Sequence, residues 1–146
     1  MRWLRDIRNG TRNLWIWLPV IWRQRDWDFA YLYDVVYFKL KLMEKELREC
    51  TFVVGSSKEA LNIRICMTLL KRIQEGNYLE EEFDVWHKEN PLRFVKQADG
   101  SSKVVRTTEK QSKIFRRLIE RETQLRKQDC DLFFKIFRGH HQRWWT

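Results

Sequence analysis

The densest grouping of chemically capable residues is Trp22-Arg23-Gln24-Arg25-Asp26-Trp27-Asp28. Arginine guanidinium groups give bidentate contacts to phosphate, and indole faces stack on bases. A helix opening just after Asp26 adds unpaired backbone amides with a partial positive charge. Trp22, Arg23, Arg25, Trp27 and Asp28 therefore form a candidate site for an anionic nucleotide. A purely structural role fits the same residues, with Asp26 as an N-cap, Asp28 paired with an arginine and both tryptophans in the core.

A second basic array runs through Lys110, Lys113, Arg116, Arg117, Arg121, Arg126 and Lys127. It is either a solvated helix face or a surface for phosphate, with Arg116 and Arg117 the candidate contacts. Other chemistries find less support. Asp26 and Asp28 stand two residues apart and point to different faces of a helix, which disfavours a shared metal. His140 and His141 with Cys130 lack a second ligand pair at a recognisable spacing, and His87 has no nucleophile context. The five glycines are isolated and form no phosphate loop. No catalytic residues, metal or cofactor are assigned, and the chain reads as a binding protein rather than an enzyme.

These groups need elements to hold them. The first 13 residues suit a short amphipathic helix, with Trp3, Leu4 and Ile7 opposite the arginines and Gly10 as its interruption. Pro19 argues against a helix through Leu14 to Trp22, because its ring clashes with the preceding turn. Residues 1–25 are therefore read as a basic aromatic arm, extended in its second part. A first long helix follows from Trp27 to about Arg48. Its first half carries only Asp28 and Asp34 as charges and calls for cover on all sides. A second opens at Ser56, which has capping-box spacing to Glu59, shows Leu61, Ile65, Leu69 and Ile73 at intervals of four, and stops at Gly76. Tyr78 to Asn90 is a short acidic helix or turn turning Phe83 and Trp86 inward. Residues 92–106 alternate apolar and basic residues around Gly100, a hairpin pattern. Thr108 and Gln111 again show capping-box spacing, opening a long basic amphipathic helix over 107–138, with Gly139 as its end. Trp144 and Trp145 predict a docked tail.

The 146 residues suit a single domain, 1–146, and 43% apolar residues with 8 Trp, 4 Tyr and 9 Phe are ample for one core. Only 5 Gly and 2 Pro exclude a many-stranded sandwich or barrel. The expected fold is mainly α, with three long helices in a bundle, an N-terminal aromatic arm and a small β-hairpin. Net charge is +9 and unevenly spread: +5 over residues 1–25, −5 over 74–90 and +6 over 103–127. Such segregation favours an anionic ligand, a contact between oppositely charged faces of two subunits, or both. The three cysteines, Cys50, Cys66 and Cys130, form no Cys-x-x-Cys pair and point to reduced thiols in a cytosol. The apolar run Leu14 to Trp22 is too short to cross about 30 Å of hydrocarbon. An interfacial anchor needs the same residues that an arm packed on the core would bury, so no membrane partner is assigned.

The segments Ile21-Trp22-Arg23-x-Arg25-Asp26-Trp27-Asp28, Tyr31-Leu32, Lys39-Leu40, Leu69-Leu70-Lys71-Arg72, Tyr78 and His140-His141-x-x-Trp144-Trp145 resemble small helical proteins of unassigned function encoded by tailed bacteriophages. The resemblance skips the hairpin, and Thr146 stands where it would place an acidic residue. It implies a phage accessory protein made in the cytoplasm of a bacterial host. Joined to the charge and the aromatic-arginine cluster, it leads to the expectation of an anti-defence protein that sequesters an immune signalling nucleotide, as at least a dimer. The alternatives are a nucleic-acid-binding protein using the last helix, and an inhibitor that binds a host protein.

Overall fold

The computed structural model describes residues 2–22, 29–49, 55–91, 93–97, 100–104 and 108–145. Over these the chain is mainly helical: α1 (Arg2–Trp22), α2 (Phe29–Glu49), α3 (Ser56–Glu75), α4 (Glu80–Glu89) and α5 (Glu109–His140). A two-stranded sheet, β1 (Phe94–Lys96) with β2 (Ser102–Val104), precedes α5, and a 3₁₀ turn (His141–Trp145) follows it. Four of the helices have 20 residues or more, one beyond the three expected.

The extra long helix is α1, and it corrects the extended-arm reading. Neither Gly10 nor Pro19 interrupts it. Pro19 lacks the N–H that would bond the Trp15 carbonyl, but only three helical residues follow it, and Trp15 is exposed, so water can satisfy the orphaned carbonyl. Gly10 has nothing near its missing side chain, which leaves it as a weak point rather than a break.

The core lies between α2, α3 and the second half of α5. Leu40, Met43 and Leu47 of α2 meet Ala60, Ile63, Cys66, Leu69 and Leu70 of α3, with Phe133 and Trp144 closing the layer. The fully buried residues of α2 belong to its second half. The first half, expected to be surrounded, is only half-buried, and Leu32 is 63% exposed. On α3 the buried stripe is Ala60, Ile63, Cys66, Leu69, Leu70 and Ile73, so Leu69 and Ile73 of the expected series are buried while Leu61 and Ile65 face solvent. A strict four-residue repeat advances about 40° per step around a helix of 3.6 residues per turn, so the early members of that series rotate off the core face.

Helix ends show which local signals hold. Thr108 caps α5 as expected: its Oγ1 accepts from the Gln111 N–H at 3.3 Å, and its own N–H donates to Gln111 Oε1 at 2.7 Å. Gly76 closes α3 with φ +64°, its N–H donating to the Arg72 carbonyl. Ser56 provides no cap. Gly55, at φ +86°, precedes α3 and its carbonyl accepts from the N–H groups of Lys58 and Glu59. Gly139 does not end α5, which runs on to His140 and tightens directly into the 3₁₀ turn. The hairpin within 92–106 is present, pairing Phe94 with Val104 and Lys96 with Ser102 around Gly100 at φ +81°.

Candidate anion-binding cleft

α1 folds back along α2. Trp17 meets Phe38 edge-on, with ring centroids 5.1 Å apart, and Ile16, Trp17 and Val20 are the half-buried residues of α1. Between the two helices lies a cleft of about 650 Å³ lined by Asn9, Arg12, Asn13, Ile16 and Trp17 from α1 and by Lys39, Leu42, Lys45, Glu46 and Glu49 from α2. With Trp17 beside Phe38, only an antiparallel course lets Asn9 share this cleft with residues 45 to 49. Along its length Trp17 and Lys39 stand at one end, Arg12, Lys45 and Glu46 share the middle, and Asn9 and Glu49 mark the other end. The volume is within the range of small-molecule sites.

None of the ten cleft residues was singled out from sequence. Lys39, Lys45 and Glu46 appear in sequence only as charges that follow the apolar first half of the second helix, and Arg12 as one of the arginines of the N-terminal segment. Their convergence depends on α1 being a helix that reverses onto α2, which an extended arm could not provide. Of the residues that were singled out, Arg23, Arg25, Trp27 and Asp28 lie outside the described residues. Trp22 ends α1 and is 82% exposed. Arg116 and Arg117 are exposed on the first half of α5, with no ion pair among the described residues. Within the basic face of α5, Lys113 pairs with Glu109 at 3.1 Å. Arg126 lies along Gly76, its Nη2 only 2.6 Å from where a β-carbon would stand.

Two polar networks elsewhere bind elements together. Glu59, 9% exposed, accepts from the Trp144 indole N–H at 3.0 Å and from Asn62 at 3.2 Å. His140 Nδ1 lies 3.1 Å from the same carboxylate and Arg143 3.7 Å away. Burial pushes the Glu59 carboxyl upward, but hydrogen bonds from Asn62, Trp144 and His140, together with the His140 charge, outweigh it and hold the group below its ordinary value. The residue read as half of a capping box thus anchors the C-terminal tail, 85 positions away. In the second network the Tyr78 hydroxyl donates to Asp129 Oδ2 at 2.8 Å, and Arg72 pairs with the same oxygen at 3.2 Å. Burial and the bond to Asp129 push the Tyr78 hydroxyl to about 12, so it stays protonated.

At the opposite end from the tail, Trp86 of α4 packs on Phe115 of α5 with centroids 4.5 Å apart, and Phe83 meets the same ring at 5.8 Å. The Trp86 indole N–H is shielded from water and has no hydrogen-bond partner among the described residues. No group of three or more His, Cys, Asp or Glu side chains among the described residues is placed to hold a metal ion. No helix among them is long and apolar enough to cross a membrane. No family model, curated protein or solved structure matches the chain.

Proposed function

We propose that this chain binds and sequesters an anionic nucleotide, acting by capture rather than by catalysis, with the α1–α2 cleft as the principal site. The observation that carries the reading is the lining of that cleft, which joins an indole, cations and carboxylates. The Trp17 indole offers apolar contact for a base, Arg12 and Lys45 offer charge for phosphate, and Glu46 and Glu49 offer acceptors for ribose hydroxyls. Trp22, exposed at the end of α1, adds a further indole, and Arg23 and Arg25 follow it in sequence. Resemblance to small phage proteins supports an accessory role in the cytoplasm of a bacterial host, with an immune signalling nucleotide as ligand. The half-covered first part of α2 supports an assembly of at least two copies.

Calorimetric titration with cyclic dinucleotides and cyclic ADP-ribose isomers tests the proposal. Arg12→Glu and Lys45→Glu alter exposed side chains and leave packing intact. Each removes a charge-assisted phosphate contact of about 1.5–3 kcal/mol, a loss of roughly 10- to 150-fold in affinity. Equal affinities in wild type and variants, or no binding to either, overturn the site. A second reading, nucleic-acid binding through Arg116 and Arg117, is favoured by their exposure without ion pairs among the described residues. It requires affinity that falls steeply with salt, whereas a small ligand with two phosphates gives a shallow slope.

A further inference from the structure

α1 touches α2 through Ile16, Trp17 and Val20, yet its broader apolar face points the other way. At about 100° per residue, Trp3, Ile7, Leu14, Trp15, Leu18 and Trp22 share one arc of the helix, and all six are exposed, Trp15 at 76% and Trp22 at 82%. The stripe runs the length of a 21-residue helix, about 32 Å. Arg8, exposed, edges it on the Trp15 side. A soluble chain that leaves three indoles in a row uncovered has a surface for something else to cover.

The complement is present in the same chain. α4 and the first half of α5 frame an apolar groove of about 540 Å³, with Val85, Trp86, Ile114 and Leu118 as its walls and Glu81, Glu82 and Glu89 around it. Residues 1–25 carry +5 and residues 74–90 carry −5. Within one chain α1 packs on α2 and the groove stays open, so these two surfaces meet only between copies.

We propose that the exposed face of α1 docks in the α4–α5 groove of a second copy, with Trp15 entering the groove and Arg8 meeting the carboxylates around it. The inference rests on the reading of the chain as at least dimeric and specifies the contact. Because each copy carries both surfaces, a reciprocal exchange closes the pair about a two-fold axis and leaves neither surface open. An anionic bilayer would also take an apolar helix face edged with arginine. The acid-bordered groove in the same chain is what selects a second copy.

Light scattering on the full chain at micromolar concentration is the test. Wild type is expected at twice the 18.2 kDa chain mass. Arg8→Glu shifts it toward monomer, weakening association at least tenfold, and Glu82→Arg with Glu89→Arg does the same. Combining all three changes restores the dimer, a result that misfolding of either variant would not produce. Trp15→Ala also gives monomer. A monomeric wild type overturns both this contact and the dimeric reading. A dimer indifferent to either charge reversal, or one not restored by the combination, overturns this contact alone. Flotation of a monomeric protein with phosphatidylserine vesicles assigns the face to a bilayer and overturns it as well.

Discussion

Replacing Glu59 by alanine should loosen the C-terminal tail and lower the stability of the whole bundle. The carboxylate is 9% exposed, and the Trp144 indole that donates to it at 3.0 Å is 5% exposed, so the orphaned N–H has little water to turn to. A hydrogen bond to a charged acceptor contributes about 1.5–3 kcal/mol. Asn62 and His140 are less enclosed and can hydrate, adding little. The expected loss is therefore roughly 2–3 kcal/mol, a fall in melting temperature of about 4–12 °C for a domain of this size. Glu59→Gln keeps an acceptor for Trp144 and gives up only the charge, at about 1 kcal/mol. Acidity separates the two. A carboxyl held below its ordinary value contributes stability that is present above the unfolded value of 4.5 and disappears as pH falls through the folded one. The gap between wild type and Glu59→Gln should thus shrink between pH 6 and pH 3. Urea denaturation followed by tryptophan fluorescence at several pH values measures both effects. If alanine and glutamine variants are equally stable at pH 7, or the gap widens in acid, the carboxylate is not what holds the tail.

Three further outcomes follow from backbone and burial. Gly76→Ala forces a side chain into φ +64° and against Arg126, and should cost about 1–2 kcal/mol in urea denaturation, whereas Gly10→Ala, in open space within α1, should stabilise by up to about 1 kcal/mol. Pro19→Ala restores the missing bond to the Trp15 carbonyl and should raise helical circular dichroism and melting temperature; a lower melting temperature would show that Pro19 has a role in ending α1. Cys66 is fully buried, and burial pushes its thiol up to about 11, so iodoacetamide at pH 8 should modify it only after denaturation, as mass mapping of the peptide would reveal.

Signals confined to one turn were legible in the sequence. Thr108 with Gln111 and the stop at Gly76 depend on neighbours within four residues, and both stand as read. Ser56 with Glu59 has the same local pattern, but the carboxylate is claimed by Trp144 and His140, and no window around residue 59 contains them. Pro19 misled for a related reason. Its penalty is a property of helix interiors, and its place three residues before the helix end with an exposed carbonyl to hydrate is set by the chain around it. The α1–α2 cleft was illegible because its two walls belong to segments that look unremarkable until one is folded against the other. The cluster that drew attention first, Trp22 to Asp28, comes between those walls in sequence, and all of it but Trp22 lies outside the described residues.

The length of α5 divides the molecule mechanically. Its 32 residues extend about 48 Å, yet its fully buried residues, Asp129 and Phe133, lie in the second half, and Arg72 and Gly76 at the end of α3 reach only as far as Asp129 and Arg126. From Arg126 back to Glu109, about 25 Å of helix projects past the core like a cantilever, with α4 as its main companion. Amide hydrogens on that overhang should exchange through local opening, together with those of α4, while amides from Asp129 to Phe137 wait for global unfolding. The chain would then melt in two tiers, and a load on the free end, such as a docked neighbour, would stiffen the outer tier without touching the inner one.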